Sequence, residues 1–326
     1  MENLQDAVKK KKSEEIQHKS VLLNETIEGL EIKDGDIFVD MTLGGAGHTE
    51  GILQTSIQKK TKGLKIIGID ADHEAVERSQ KRLAKFISDT SNSIILKTTH
   101  FDSIDEVLKK HNIKQADKIL FDLGYSSFEI DAKERGFSFQ HDGPLKMTYS
   151  QNPAKDELTA HDVVNSFQEE NLADIIYGFG EEQFSRRIAR GIVQAREKAP
   201  IESTAELAKI ISQSVPKFYR HHKDGGRSKI HPATKTFQAI RIAVNNELER
   251  LKTALNKSFQ VLSEEGRIAV ISFHSLEDRI VKRFFREKVK SQEAELINKK
   301  PIVPDDNELK ENPRSRSAKL RIAKKI

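Results

Sequence analysis

Asp36-Ile37-Phe38-Val39-Asp40-Met41-Thr42-Leu43-Gly44-Gly45-Ala46-Gly47-His48 is a short apolar run that ends in an acid and passes at once into a glycine-rich turn. A run of this length, bounded by turn residues, predicts a buried strand over 36–40. The small residues after it let the backbone turn sharply into a helix whose electropositive N-terminus faces whatever lies at the strand end. Working outward, 64–70 (Leu64-Lys65-Ile66-Ile67-Gly68-Ile69-Asp70) is a second strand, and 71–87 has helical spacing. Strands follow at 93–97 and 118–122, and another buried strand at 267–273. Strands alternating with helical stretches predict an α/β fold, a Rossmann-like, doubly wound and mostly parallel sheet with helices on both faces.

The alternation stops between about 139 and 231, where helical spacing appears at 171–178, 183–198 and 204–214 without a convincing strand. A long helix is expected over 236–262, with Phe237, Ile240, Ala243, Val244, Leu248, Leu251 and Leu255 roughly on one face. The economical topology is one discontinuous domain, 18–138 and 232–326, interrupted by a helical insertion over 139–231. Residues 1–17, with Lys9 to Lys12, are expected to be a disordered, charged tail lacking the apolar centre of a signal peptide.

In open α/β sheets ligands sit at the carboxyl ends of the strands, which directs attention to Asp40, Gly44 and Asp70. Asp70 stands where such folds hold an acid that accepts hydrogen bonds from both hydroxyls of a ribose; the competing reading is a helix N-cap shared with Asp72. A nicotinamide enzyme would show G-x-G-x-x-G with its acid about 20 residues later. Here the glycine spacing differs and Asp70 lies beyond that interval. Asp40 instead suits the ammonium of a bound methionine moiety, so the strand ends favour S-adenosylmethionine.

Composition narrows the class only broadly. Of 326 residues 32% are charged, and the net charge of +5 leaves an anionic partner plausible without requiring one. There is no cysteine, which removes disulfides and thiolate metal sites. No stretch approaches the roughly 20 apolar residues of a membrane helix, so a cytoplasmic protein is expected, and no metal site is expected.

Several blocks carry a specific likeness. Asp122-Leu123-Gly124-Tyr125-Ser126-Ser127, Glu134-Arg135-Gly136-Phe137-Ser138-Phe139 and Asp142-Gly143-Pro144-Leu145 resemble the signature of the RsmH/MraW family. His231-Pro232-Ala233-Thr234-Lys235-Thr236-Phe237-Gln238-Ala239-Ile240-Arg241 and Ser272-Phe273-His274-Ser275-Leu276-Glu277-Asp278-Arg279 resemble two further family blocks. Asn312-Pro313-Arg314-Ser315-Arg316-Ser317 is similar to its closing motif, and the stretch from His18 to Leu23 to its opening. The resemblance implies a class I S-adenosylmethionine-dependent methyltransferase with an inserted helical domain. It further implies that the enzyme methylates N4 of cytosine 1402 in 16S ribosomal RNA, at the decoding centre. The cofactor contacts it implies fall on Ala46, Gly47, His48, Asp70, Phe101, Asp122 and Glu129.

Two places differ from the family pattern. Glu129 stands where the family usually has Gln, and Lys146-Met147-Thr148-Tyr149-Ser150 stands where it typically reads Asp-Met-Arg-Met-Asp. The second difference is the only support for an alternative, a non-catalytic ribosome-assembly factor that keeps the cofactor pocket.

Cytosine's exocyclic amine is a poor nucleophile, its lone pair being delocalised into the ring. Methylating it needs an acceptor for an amine hydrogen and an in-line methyl group. Asp122 is the candidate acceptor, with Ser126 and Ser127 beside it; His231 and His274 are further candidates with structural hydrogen bonding as the competing reading. Reaching a base edge requires single-stranded or flipped RNA, on which Phe139 or Tyr149 are candidates to stack, with core packing as the competing reading. Phosphate contacts are expected from Arg186 and Arg187 on one helix, and from Lys217, Arg220, Lys223, Arg227, Lys229 and Lys235, which face the single acid Asp224. Arg190, Arg196, Arg314, Arg316, Lys319 and Arg321 extend these clusters. The expected partner is small-subunit ribosomal RNA, bound by a monomer or weak homodimer.

Overall fold

The strand expected after Asp36 forms as β1 (Ile37–Asp40), and the other parallel strands are apolar runs like it, the central ones mostly buried and the one at the sheet edge only half-buried. They are β2 (Lys65–Asp70), β3 (Ser93–Thr98), β4 (Ala116–Asp122) and β5 (Leu262–Ser272). Two more strands, β6 (Ala294–Leu296) and β7 (Lys319–Lys325), complete a sheet of order β3-β2-β1-β4-β5-β7-β6. The first five are parallel; β7 runs antiparallel to β5 and β6. This structure is a computed structural model, and it describes residues 19–87, 92–124, 130, 132–150, 157–220 and 231–326. The expected tail at 1–17 lies outside the described residues.

Alternate strand residues feed two cores, as the period of two demands. Val39, Ile67, Ile119, Phe121, Ile268 and Val270 face one layer. That layer is α4 (Ile104–Lys110), α11 (Glu247–Val261) and α12 (Ser275–Lys290). Phe38, Ile66, Leu120, Ala269 and Ile271 face the other, with α1 (Leu23–Leu30), α2 (Gly47–Lys59) and α3 (His73–Ile87).

A third cluster lies off the sheet. It is built by α5 (Ala160–Ser166), α6 (Glu169–Gly180), α7 (Ser185–Arg196), α8 (Thr204–Ser214) and α10 (Ala233–Asn245), with the short α9 (Lys217–Arg220) between α8 and α10. No strand forms between 139 and 231 among the described residues; Pro144 and Ser203 make one isolated bridge. Phe137, Leu145 and Met147 before the helices, and Ala233, Phe237 and Ile240 on α10, belong to this core. Its packing therefore reaches past both ends of 139–231.

Two sequence expectations are corrected. The helix expected over 236–262 is two helices, because Asn246 takes a left-handed conformation (φ 51°) that closes α10 and starts α11. Asn tolerates that region better than other residues with a side chain, and apolar spacing carries no sign of it. The antiparallel β7 hides in Lys319-Leu320-Arg321-Ile322-Ala323-Lys324-Lys325, which reads as a basic cluster. Leu320, Ile322 and Ala323 are buried, while Arg321 pairs with Asp278 and Lys325 Nζ donates to the carbonyls of Phe259 and Leu262.

One buried ion pair joins the sheet to the segment leading into the helical cluster. Arg135 Nη1 lies 3.3 Å from Asp72 Oδ2, with both residues nearly inaccessible. Arg135 Nη2 also donates to the carbonyls of Thr148 and Tyr149, the latter at 2.8 Å. Removing Arg135 would leave buried Asp72 with only the more distant Arg78, 3.7 Å away, and would strip the two carbonyls of their donor. Arg135→Ala is expected to lower the free energy of unfolding in urea by about 3–5 kcal/mol; a loss under about 1 kcal/mol would contradict this role.

Candidate active site

Three strands end in acids at the same edge of the sheet. The parallel register pairs Asp40 with Gly68 and Leu120, which sets the ends of β1, β2 and β4 side by side. Asp40 is buried and accepts from Thr49 Oγ1 at 2.7 Å and from the Thr42 N–H at 3.3 Å. Burial pushes its carboxyl up to about 6, against the pull of the Thr49 bond and of nearby His48. Asp70 accepts from the N–H groups of Asp72 (2.8 Å) and Gly44 (2.7 Å). It too is pushed up to about 6, mainly by burial. The capping reading of Asp70 is thus realised in part: its carboxylate ties the glycine-rich turn to the start of the next helix, and it retains lone pairs for a ligand.

The turn needs its small residues. Gly44 and Ala46 adopt positive φ, and a Cβ on Gly47 would lie 2.0 Å from Ser20 Oγ. Ser79 Oγ and Arg82 Nη1 donate to the carbonyls of Gly44 and Gly45, fixing the turn against α3.

Asp122 ends β4. Its backbone N–H donates to Thr42 Oγ1 at 2.6 Å, and its Oδ2 lies 3.4 Å from His48 Nδ1. Oδ1 is buried and has no hydrogen-bond partner among the described residues. Burial pushes this carboxyl up to about 7, helped by the negative charge of Glu277. Phe101, in the 3₁₀ turn after β3, packs edge-on against Phe121, one residue before Asp122. Ser126, Ser127 and Glu129 lie outside the described residues.

The two other candidate histidines bond to helix starts. His231 Nδ1 accepts from the Ala233 N–H at the start of α10 and stacks on Phe139. His274 N-caps α12 in a reciprocal box with Glu277. Burial works to raise the Glu277 carboxyl, but His274 and Arg241 beside it hold it below its ordinary range. His274, Glu277 and Glu247 come close enough to share an ion. Arg241 already holds both oxygens of Glu247 at 2.8 Å, so the group reads as a salt-linked network. The candidate stacking rings are half-buried and pack against the helical core: Tyr149 lies on Phe137 and donates to Glu247, and Phe139 meets Phe237 edge-on.

The altered segment at 146–150 is anchored through its backbone. Asn245 Nδ2 donates to the Met147 carbonyl, the Tyr149 N–H donates to Asn245 Oδ1, and Arg135 takes the next two carbonyls. Such contacts survive a change of side chain.

The expected phosphate-binding groups fare unequally. Arg186 and Arg187 are exposed on the first turn of α7, and Lys217 is exposed on α9. Buried Glu182 links those two helices, accepting from the Phe184 N–H and from the Tyr219 hydroxyl. Lys235 donates to the Glu181 carbonyl, and Arg190 pairs with Glu169. Arg196 is a structural residue, donating to the carbonyls of Val164 and Phe167 at the end of α5. Lys319 and Arg321 are committed to Asp278. The side chain of Arg220, and Lys223, Arg227 and Lys229, lie outside what is described. Thr42, Thr49, Asp72 and Glu277 also touch or face these acids, and of the four only the threonines, flanking the glycine-rich turn, carry a sign of it in sequence.

A sheet of this order, with acids closing β1, β2 and β4 and a glycine-rich turn after β1, defines a class I S-adenosylmethionine-dependent methyltransferase. The chain belongs to the MraW methylase family, whose model matches residues 15–326. It is 44% identical to the ribosomal RNA small subunit methyltransferase H of Paenibacillus sp. (strain JDR-2), covering 95% of this chain and 99% of that one. It is also 44% identical to the protein of the same name from Sulfurihydrogenibium sp. (strain YO3AOP1), over 95% and 100% of the two chains. Among solved structures, an rRNA methylase from Streptococcus thermophilus aligns over 93% of each chain at 10% identity, with a TM-score of 0.41. None of these likenesses supports the non-catalytic alternative. Among the described residues no helix is long and apolar enough to cross a membrane.

An ionised Asp122 is costly to bury. Its carboxyl in the folded chain, at about 7, lies above the ordinary 3.8, so the folded state binds the extra proton between those values. The penalty is absent below about pH 4, grows through that window and is full above about pH 7. Asp122→Asn is expected to stabilise the ligand-free protein by about 2–4 kcal/mol at pH 8 and by little at pH 4.5. Urea unfolding at both pH values checks this, and an equal effect at the two would refute it.

Proposed function

We propose that this methyltransferase methylates N4 of cytidine 1402 in the decoding centre of 16S ribosomal RNA, with Asp122 accepting the amine hydrogen. The observation that carries this reading is the buried Asp122 Oδ1, an acceptor with no partner among the described residues, at the end of β4 beside the glycine-rich turn. Bound S-adenosylmethionine supplies the electrophilic methyl group.

The residues present suit that cofactor. Asp40 takes the ammonium of its methionine part, and Asp70 accepts from the ribose hydroxyls. Gly44, Ala46, Gly47 and His48 would let the backbone approach it closely, and Phe101 and Asp122 would contribute further contacts. Glu129, Ser126 and Ser127 complete the assignment from sequence. Orientation of the amine against Asp122 favours a pyramidal nitrogen and an in-line approach to the methyl group. A flipped or unpaired nucleotide is needed to reach so deep a group.

Arg186, Arg187, Lys217, Arg220, Lys223, Arg227, Lys229 and Lys235 are the proposed phosphate contacts. The helical insertion drawn at 139–231, extended by α10, is the proposed RNA-recognition unit. The proposed place of action is the cytoplasm, on small-subunit RNA.

Incubation of small-subunit RNA with labelled S-adenosylmethionine, followed by mass spectrometry, tests the reading. One added methyl at the decoding-centre cytidine is expected, and Asp122→Asn should slow its appearance by about 10²-fold or more. An active Asn variant, or a methyl on another base, would overturn the assignment. The double variant Arg186→Ala, Arg187→Ala should weaken RNA binding and lower the salt slope by about two, with cofactor binding unchanged in calorimetry.

A further inference from the structure

Among the described residues His48 is the histidine buried beside Asp40 and Asp122, and both its ring nitrogens face oxygen atoms. Nε2 lies 3.0 Å from the Val21 carbonyl oxygen. That oxygen only accepts, so Nε2 carries the ring proton. Burial holds His48 below its ordinary range and keeps the ring neutral. Nδ1 therefore presents a lone pair to Asp122 Oδ2, 3.4 Å away. A small approach of the two groups lets one proton pass between Nδ1 and Oδ2, and burial favours that proton on Asp122. Oδ1 of the same carboxyl is left as an acceptor.

We propose that His48 and Asp122 form a proton relay, in which the substrate amine passes its proton to Asp122 Oδ1 while the proton on Oδ2 passes to His48 Nδ1. This rests on the reading that the amine meets Asp122. The amine lone pair forms the new nitrogen–carbon bond, and the broken carbon–sulfur pair stays on sulfur. The amine gives one proton to Oδ1, and Oδ2 gives one to Nδ1. One positive charge thus leaves the sulfonium and one appears on the imidazolium, so the net charge of the pocket is unchanged.

The charged groups facing the pair favour that imidazolium: Asp40 and Glu308 face His48, and Glu277 faces Asp122. The Asp122 side chain keeps 20% exposure, a path by which the proton leaves after the product. Without His48, a protonated Asp122 has nowhere to pass its proton and works only once ionised.

His48→Asn keeps a polar group near the Nδ1 position but no base. At saturating RNA and cofactor its kcat at pH 7 is expected to fall about 10²-fold, with the KM for S-adenosylmethionine within about threefold of the unchanged protein. The acid limb of its kcat profile should move to higher pH, recovering activity in alkali, and imidazole should restore part of the rate of His48→Ala. A profile with an unmoved acid limb, or a defect confined to KM, overturns the relay. In the unaltered protein, nitrogen NMR of labelled histidine should show His48 as the Nε2–H tautomer; an Nδ1–H tautomer overturns it without any variant. Full activity of Asp122→Asn would instead overturn the assignment of Asp122 beneath it.

Discussion

Desolvation of carboxylates at one sheet edge is the constraint around which the site is arranged. Parallel pairing of β1 with β2 and β4 brings Asp40, Asp70 and Asp122 to neighbouring strand ends, where burial opposes their ionisation. The surroundings offset part of this cost. Thr49 and the Thr42 N–H serve Asp40 and two backbone N–H groups serve Asp70, whereas Oδ1 of Asp122 has no partner among the described residues. A site arranged this way is poised for a cationic ligand, whose charge offsets what the fold leaves uncompensated.

Around this edge the helical part is attached by polar groups that reach the backbone. Arg135 spans from Asp72, two residues beyond β2, to the carbonyls of Thr148 and Tyr149. Asn245 holds Met147 and Tyr149 from α10. The backbone contacts hold the chain path at 146–150 whatever the side chains, while Met147 and Tyr149 add packing of their own against the helical core.

The basic residues divide by their geometry. Arg196, Lys319 and Arg321 hold helix ends and strands in place, whereas Arg186, Arg187 and Lys217 keep exposed side chains on two helices joined by buried Glu182. The net charge of +5 cannot separate these roles. A guanidinium that caps a helix and one that faces phosphate are the same residue type in a sequence.

The sequence by itself determined the five parallel strands, the glycine-rich turn, the acids at the strand ends and the helices near 171–178, 183–198 and 204–214. Each is written in local order: apolar runs, small residues at a turn, 3.6-residue spacing. The split of 236–262 at Asn246 and the strand within Lys319–Lys325 were decided by tertiary structure, since one rests on a single left-handed residue and the other on Asp278 neutralising Arg321 from a different element. The same holds within the site. Sequence picked out Asp122 and His48 separately, 74 positions apart. Only folding sets one ring nitrogen on the Val21 carbonyl and the other toward Asp122, because hydrogen-bond direction is a property of neighbours in space.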